Sequence, residues 1–318
     1  MRASLVASLI ALAAAASPAE SFRLETAAPP PGEPYQPRAG VQIEWRATND
    51  LPKALWVYKV TPQVFPSAVL SNLLVMCHLQ ASDAAEPPPG APSDTNLLHF
   101  KDGKTSWNHF LLVSPAHGWI QYMDASFSHP EPTEDVPDDA EVERLALDCL
   151  FRLGIDRSQL ADKPRSRYPA VGGKLGSDGK KLTAEVFQRG ISFTRRIDGV
   201  LDAGKVFWID FRSHGRIKRF DLVWRNLSPH EIYRLACPSE VIGFLRAGRA
   251  VAPMQDYDWA GSLQATNIAI TGVWLYYFDE PGMKPLDYTY PYAELEMAAD
   301  MGSTNTAKFY LLCPVLSK

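Results

Sequence analysis

Between Thr183 and Trp224 four short apolar runs follow one another with almost nothing between them: Thr183–Phe187, Ile191–Ile197, Val206–Phe211 and Ile217–Trp224. The joins carry Arg189-Gly190, Asp198-Gly199 and His214-Gly215. A parallel connection needs a crossover of a dozen or more residues, so strands this close pair antiparallel. A second run of the same kind comes earlier, with Leu97–Lys101, a KDGK turn at 101–104, Ser106–Val113 and Trp119–Met123. Asp-Gly between apolar runs marks a hairpin, because the turn needs positive φ at its centre. A doubly wound parallel sheet is excluded.

Helical periodicity appears in three places. Pro62–Leu79 and Asp139–Leu153 each carry one apolar stripe, the latter with an acidic first turn and Gly154 as its stop. Ser239–Ala247 is a shorter helix that follows Cys-Pro and ends at Gly248. In the tail, Ile268–Phe278 and Lys308–Leu312 read as strands, and Tyr292–Ala299 as a short helix or loop. The expected fold class is therefore α+β: antiparallel sheets each packed by a helix, in two helix-plus-sheet units with a C-terminal β extension. The expected segments are a signal peptide (1–19), a Pro-rich tether (20–40), a first unit (41–128), a second unit (136–250) and an aromatic-rich extension (251–318).

FLLVSPAHGWIQYMD (110–124) and FWIDFRSHGRIKRFD (207–221) share Phe, His, Gly, Ile and Asp without a gap. Two hairpins with His-Gly at the bend explain the match, since glycine takes positive φ freely. A shared site would require the bends of His117 and His214 to converge, so the repeat is read as scaffold.

The chain opens MRASLVASLIALAAAASPAES. Arg2, a twelve-residue apolar run from Leu5 to Ala16, and small residues at Ser17 and Ala19 have the layout of a secretory signal cleaved before Glu20. The run is shorter than the roughly 20 residues that span a bilayer. Export to the periplasm or beyond is expected, with no membrane span after cleavage. Formal net charge is −4, which argues against nucleic acid as a partner. Export permits disulfides. The four cysteines sit in apolar contexts, so buried thiols are one reading. If one pair forms, it is Cys237 with Cys313, both of which precede proline.

The motif running Ile191, Phe193, Arg195, Ile197, Asp198, Gly199, then Val206, Ile209, Gly215, Ile217 and Trp224 resembles the PepSY superfamily and the related YycH/YycI regulators. The likeness is best over 141–248 and looser over 62–124. It implies a non-catalytic exported or membrane-attached module that inhibits, chaperones or regulates another protein.

No HExxH, GxSxG, GxGxxG or P-loop pattern occurs, so no metal, cofactor or catalytic residue is assigned. Arg189–Arg249 holds twelve Lys or Arg against six Asp or Glu. Arg196, Arg212, Arg216 and Lys218 are the candidate binding residues of a basic sheet face, which would hold an acidic partner or simply be solvated. Trp274 and Tyr276 are candidates for an aromatic groove, or for core packing. The expected partner is another protein. The alternatives are a hydrolase using Asp256, Asp258, Asp279 or Glu280, and an envelope carbohydrate-binding module.

Overall fold

The computed structural model describes residues 32–86, 97–102, 109–125, 134–175, 182–202, 206–253, 264–277, 287–301 and 306–317. The strands up to the second helix are β1 (Glu33–Tyr35), β2 (Gln42–Trp45), β3 (Ala54–Thr61), β4 (Ala84–Ala85), β5 (Leu98–Lys101), β6 (His109–Ser114) and β7 (Trp119–Asp124). Next come β8 (Ser166–Leu175), β9 (Leu182–Phe193), β10 (Arg196–Ile197), β11 (Val200–Asp202), β12 (Phe207–Phe211), β13 (Ile217–Val223) and β14 (Asn226–Leu235). The last are β15 (Ala250–Ala252), β16 (Asn267–Tyr277), β17 (Tyr288–Thr289), β18 (Pro291–Asp300), β19 (Thr306–Pro314) and β20 (Leu316–Ser317). The helices are α1 (Ser67–Met76), α2 (Asp139–Arg152) and α3 (Pro238–Arg246), close to where periodicity put them.

The first sheet runs β4-β5-β6-β7-β13-β12-β9-β8. Read inward from either edge, each set of four strands comes in chain order, and each set follows its own helix, α1 or α2. Both helices bury their apolar stripes in one core against the same sheet face, Leu70, Leu73 and Leu74 from α1 and Val142, Ala146 and Leu150 from α2. The two units thus share one sheet, related by an approximate two-fold across the seam where β7 pairs antiparallel with β13.

That seam settles the repeat. β7 begins after His117-Gly118 and β13 after His214-Gly215, so antiparallel pairing sends the two bends to opposite ends of the sheet. His117 and His214 share no site. Gly118 and Gly215 both take positive φ, 58° and 67°. Phe207 lies in the helix-covered core, whereas Phe110 lies outside that cluster. An irregularity between Asp210 and Phe211 shifts the β12·β13 register by one residue. With Phe220 and Leu222 in the core, Asp221 then faces away from the helices.

The α+β expectation is overturned: the protein is mostly β, with twenty strands against three α-helices among the described residues. There is no sheet per helix. The tail is no appendage either, because β16, β18 and β19 form the middle of a second eight-stranded sheet, β1-β15-β19-β18-β16-β11-β10, with β2 also pairing β16. A third sheet, β17-β3-β14-β20, packs with α3 against it. Two segments were misread for identifiable reasons. Tyr292–Ala299 has good helix formers, yet Ala293, Leu295, Met297 and Ala299 are buried while Glu294 and Glu296 are less so. Pairing on both sides overrides propensity there. Arg189-Gly190 is not a turn. β9 runs straight through it, and Gly190 is needed because a Cβ there would collide with Tyr168 and the Asp210 carboxylate.

The two cores meet where the β10–β11 hairpin leaves the first sheet and β11 joins β16 in parallel. Asp198 and Gly199 turn this hairpin with φ of 50° and 79°. Asp198 accepts from the Tyr58 hydroxyl, and Tyr277 Oη donates to the Trp56 carbonyl at 2.8 Å.

The expected Cys237–Cys313 disulfide is absent, and all four thiols are free. Cys237 is the exposed N-cap of α3, with its sulfur 3.1 Å from Ser239 Oγ, while Cys313 is buried inside β19. Burial pushes the Cys149 and Cys313 thiols up to about 12 and raises Cys77 too. A thiol reagent is therefore expected to label Cys237 rapidly in the native protein and all four cysteines in denaturant without reductant. Fewer than four under denaturing conditions would restore a disulfide.

Candidate functional site

The four basic candidates do not assemble into a face. Arg212, Arg216 and Lys218 surround the bend between β12 and β13, but Arg196 lies on β10 in the second sheet. Arg212 is buried, with 3% of its surface exposed. Arg196 pairs with Asp162 at 3.0 Å, and Arg216 lies 3.9 Å from Asp124. Lys218 Nζ donates to Gln188 Oε1 at 2.8 Å. Arg196, Arg216 and Lys218 are thus each engaged by a side chain of this chain.

On the face of the first sheet turned away from the helices, Asp210 is fully buried. Its Oδ1 accepts from the Tyr168 hydroxyl, and its Oδ2 from Arg219 Nε at 2.6 Å. The Arg219 guanidinium also lies 3.9 Å over the Trp208 ring, and Trp208 Nε1 donates to Tyr168 Oη. Burial raises the Tyr168 pKa, as does its hydrogen bond to Asp210. Next to this group, Asp221 stands opposite Trp208 on one side and Gln121 on the other. Burial raises its pKa against the pull of the Gln121 amide, which donates at 3.0 Å, and of Arg219. The Asp210 cluster is a closed network whose polar groups answer one another.

The second sheet carries a different arrangement. Trp274 and Tyr276 project from β16 on the side opposite Val273 and Tyr277, which are buried. The Trp274 ring lies back over its own strand, its Cη2 2.5 Å from where a Cβ on Gly272 would stand. Glu294 sits between Trp274 on β16 and Leu312 on β19, and Glu296 between Gly272 and Tyr310. Trp274 and Tyr310 each keep 39% of their surface exposed, high for aromatics on a sheet face. Glu296 is paired with Lys308 at 3.2 Å. Glu294, by contrast, has no ion pair or side-chain hydrogen bond among the described residues. Half-burial raises its pKa, opposed by the charge of Arg165. The Tyr276 hydroxyl is raised by burial and then by Glu294.

No protein-family model matches the chain, and no curated protein matches it. A crystal structure of an uncharacterized protein from Eubacterium rectale aligns with a TM-score of 0.46 and 10% identity, over 87% of this chain and 88% of that one. A likeness so distant carries neither fold nor function across.

Of the residues expected from sequence, Trp274 and Tyr276 therefore share a face, and the basic four do not. Asp256, Asp258, Asp279 and Glu280 lie outside the described residues. Asp210, Arg219, Tyr168 and Glu294 had no local motif to announce them. For Glu294 the signal was the alternation AELEMA, which has the period of a strand with two acids on one face.

Removing Arg219 would leave a fully buried carboxylate without its cation. Arg219→Met is expected to cost about 3 kcal/mol in denaturant unfolding. Arg216→Met, at a half-exposed side chain, is expected to cost less than about 1 kcal/mol. Equal costs would contradict the assignment of Asp210 as the structural centre of this face.

Proposed function

We propose that this chain is an exported, non-catalytic binding protein that acts on another protein in the cell envelope or outside the cell, and that contact is made at the Trp274 face. The observation that carries this reading is the combination, on the middle strands of a sheet, of an exposed tryptophan and a half-buried carboxylate with no ion pair among the described residues. Tryptophan and tyrosine are enriched among the residues that dominate binding energy at protein interfaces. The resemblance to PepSY and YycH/YycI regulators supplies the regulatory class. The N-terminal apolar run supports export, and no helix among the described residues is long and apolar enough to cross a membrane.

Catalysis is the weaker reading. A carboxylate pair for acid–base work needs one member free to act, and Asp210, whose charge raises the Asp221 pKa, has both oxygens occupied. Saccharide binding is the second reading, favoured by the flat seat that Gly272 gives Trp274.

A pull-down from the exported fraction with the mature chain tests the proposal. A protein partner should be retained by the wild type and by Arg216→Glu/Lys218→Glu, and lost by Trp274→Ala. Loss on charge reversal alone would move the contact to the β12–β13 bend. Release of the chain from envelope material by a soluble oligosaccharide, with no protein retained, would favour the second reading.

A further inference from the structure

Arginine over an aromatic ring is a recurrent device in this fold. Arg219 covers Trp208 at 3.9 Å, Arg195 covers Trp224 at 4.3 Å and Arg249 covers Phe244 at 4.4 Å. The first of these is the most complete, because the same guanidinium also satisfies a carboxylate on its sheet face, Asp210. It shows a tryptophan and an acid two residues apart on one strand, β12, holding one cation between them, drawn by the ring face and neutralised by the carboxylate.

Trp274 and Glu294 supply two of these three parts, the ring and the acid, on neighbouring strands where Trp208 and Asp210 share one. They are directly opposite across β16 and β18, which places their Cβ atoms about 5 Å apart. The third part is missing among the described residues. No cationic group covers Trp274, and none pairs with Glu294 among the described residues. Lys308 is taken by Glu296. Arg165 is near enough for its charge to be felt by Glu294 but forms no ion pair with it.

We infer that Trp274 and Glu294 form a receptor for one cationic side chain, a lysine or arginine carried on an extended segment of the partner protein. This inference rests on the Trp274 face being the contact surface. The complementarity is specific: an aromatic face and a carboxylate without an ion pair among the described residues both favour a positive charge, and a neutral or acidic group would leave Glu294 unmatched. A peptide is favoured over a free amine because the site is a sheet face. An exposed cation–π contact is weak on its own, so the cation needs further contacts from the molecule that carries it. Tyr276 and Leu312, flanking the pair, offer apolar surface for the aliphatic stem of a lysine or arginine.

A random peptide library displayed on phage, selected on the intact chain and re-tested on Trp274→Ala, Glu294→Gln and Glu296→Gln, tests this. Selected peptides should be enriched in lysine or arginine. Changing that residue to glutamine should weaken binding about tenfold, which corresponds to one charge-assisted contact. Glu294→Gln should weaken the parent peptide to the same degree and abolish the difference between parent and changed peptide, while Glu296→Gln leaves it intact. Peptides that need Trp274 but show no lysine or arginine preference would overturn the cation receptor and leave the contact face standing. Peptides that bind all variants equally, or no enrichment, would overturn both.

Discussion

A carboxylate with no exposed surface stands on a sheet face of this protein, and four strands are arranged to satisfy it. Asp210 on β12 draws Tyr168 from the edge strand β8 and Arg219 from β13, and it requires a glycine on β9 so that the tyrosine can pass. Burying a charged group without partners costs far more than any single contact returns, so these positions cannot vary independently. Arg219 in turn is held flat on Trp208. One ion pair therefore ties together the side of the first sheet that the helices do not cover. The other side is organised by α1 and α2, whose apolar stripes meet in a single core across the β7·β13 seam.

The local grammar of the fold was legible and the assembly was not. Helix periodicity marked α1 and α2, end signals marked α3, and Asp-Gly and His-Gly marked two tight bends, because those signals depend on residues within a few positions of one another. Which strands share a sheet depends on pairings between distant segments, such as β3 with β14 or β1 with β15, and no short window holds that information. β8 and β14 were not among the expected strands, and each carries a proline, Pro169 and Pro229. Pro169 is tolerated on an edge strand, and Pro229 sits at an irregularity between it and Glu231. The gapless repeat was a real architectural echo with misleading detail, since a one-residue register shift turns Asp221 to the opposite face from the one its alignment partner suggests.

The same limit explains the candidate sites. Counting charges between Arg189 and Arg249 suggested a basic face, but Asp162 and Asp124, which partner Arg196 and Arg216, come from outside that window. Aromatic residues fared better. Trp274 and Tyr276 alternate with buried neighbours in a long uninterrupted strand, so their shared face follows from the period of two alone. What the strand period does not reveal is that the neighbouring strand brings Glu294 beside Trp274 with no ion pair among the described residues, while the buried acid on the first sheet has one of its own.

That difference between two carboxylates is the most direct thing to measure. A carbon-13 titration of the Glu294 carboxyl in the isolated protein, assigned by comparison with Glu294→Gln, is expected to give a pKa above the ordinary glutamate value of 4.5. Burial without a paired cation disfavours the charged form. A value at or below 4.5 would mean that Glu294 already has a positive partner within the chain, and would contradict the reading of this face as a site that a binding partner completes.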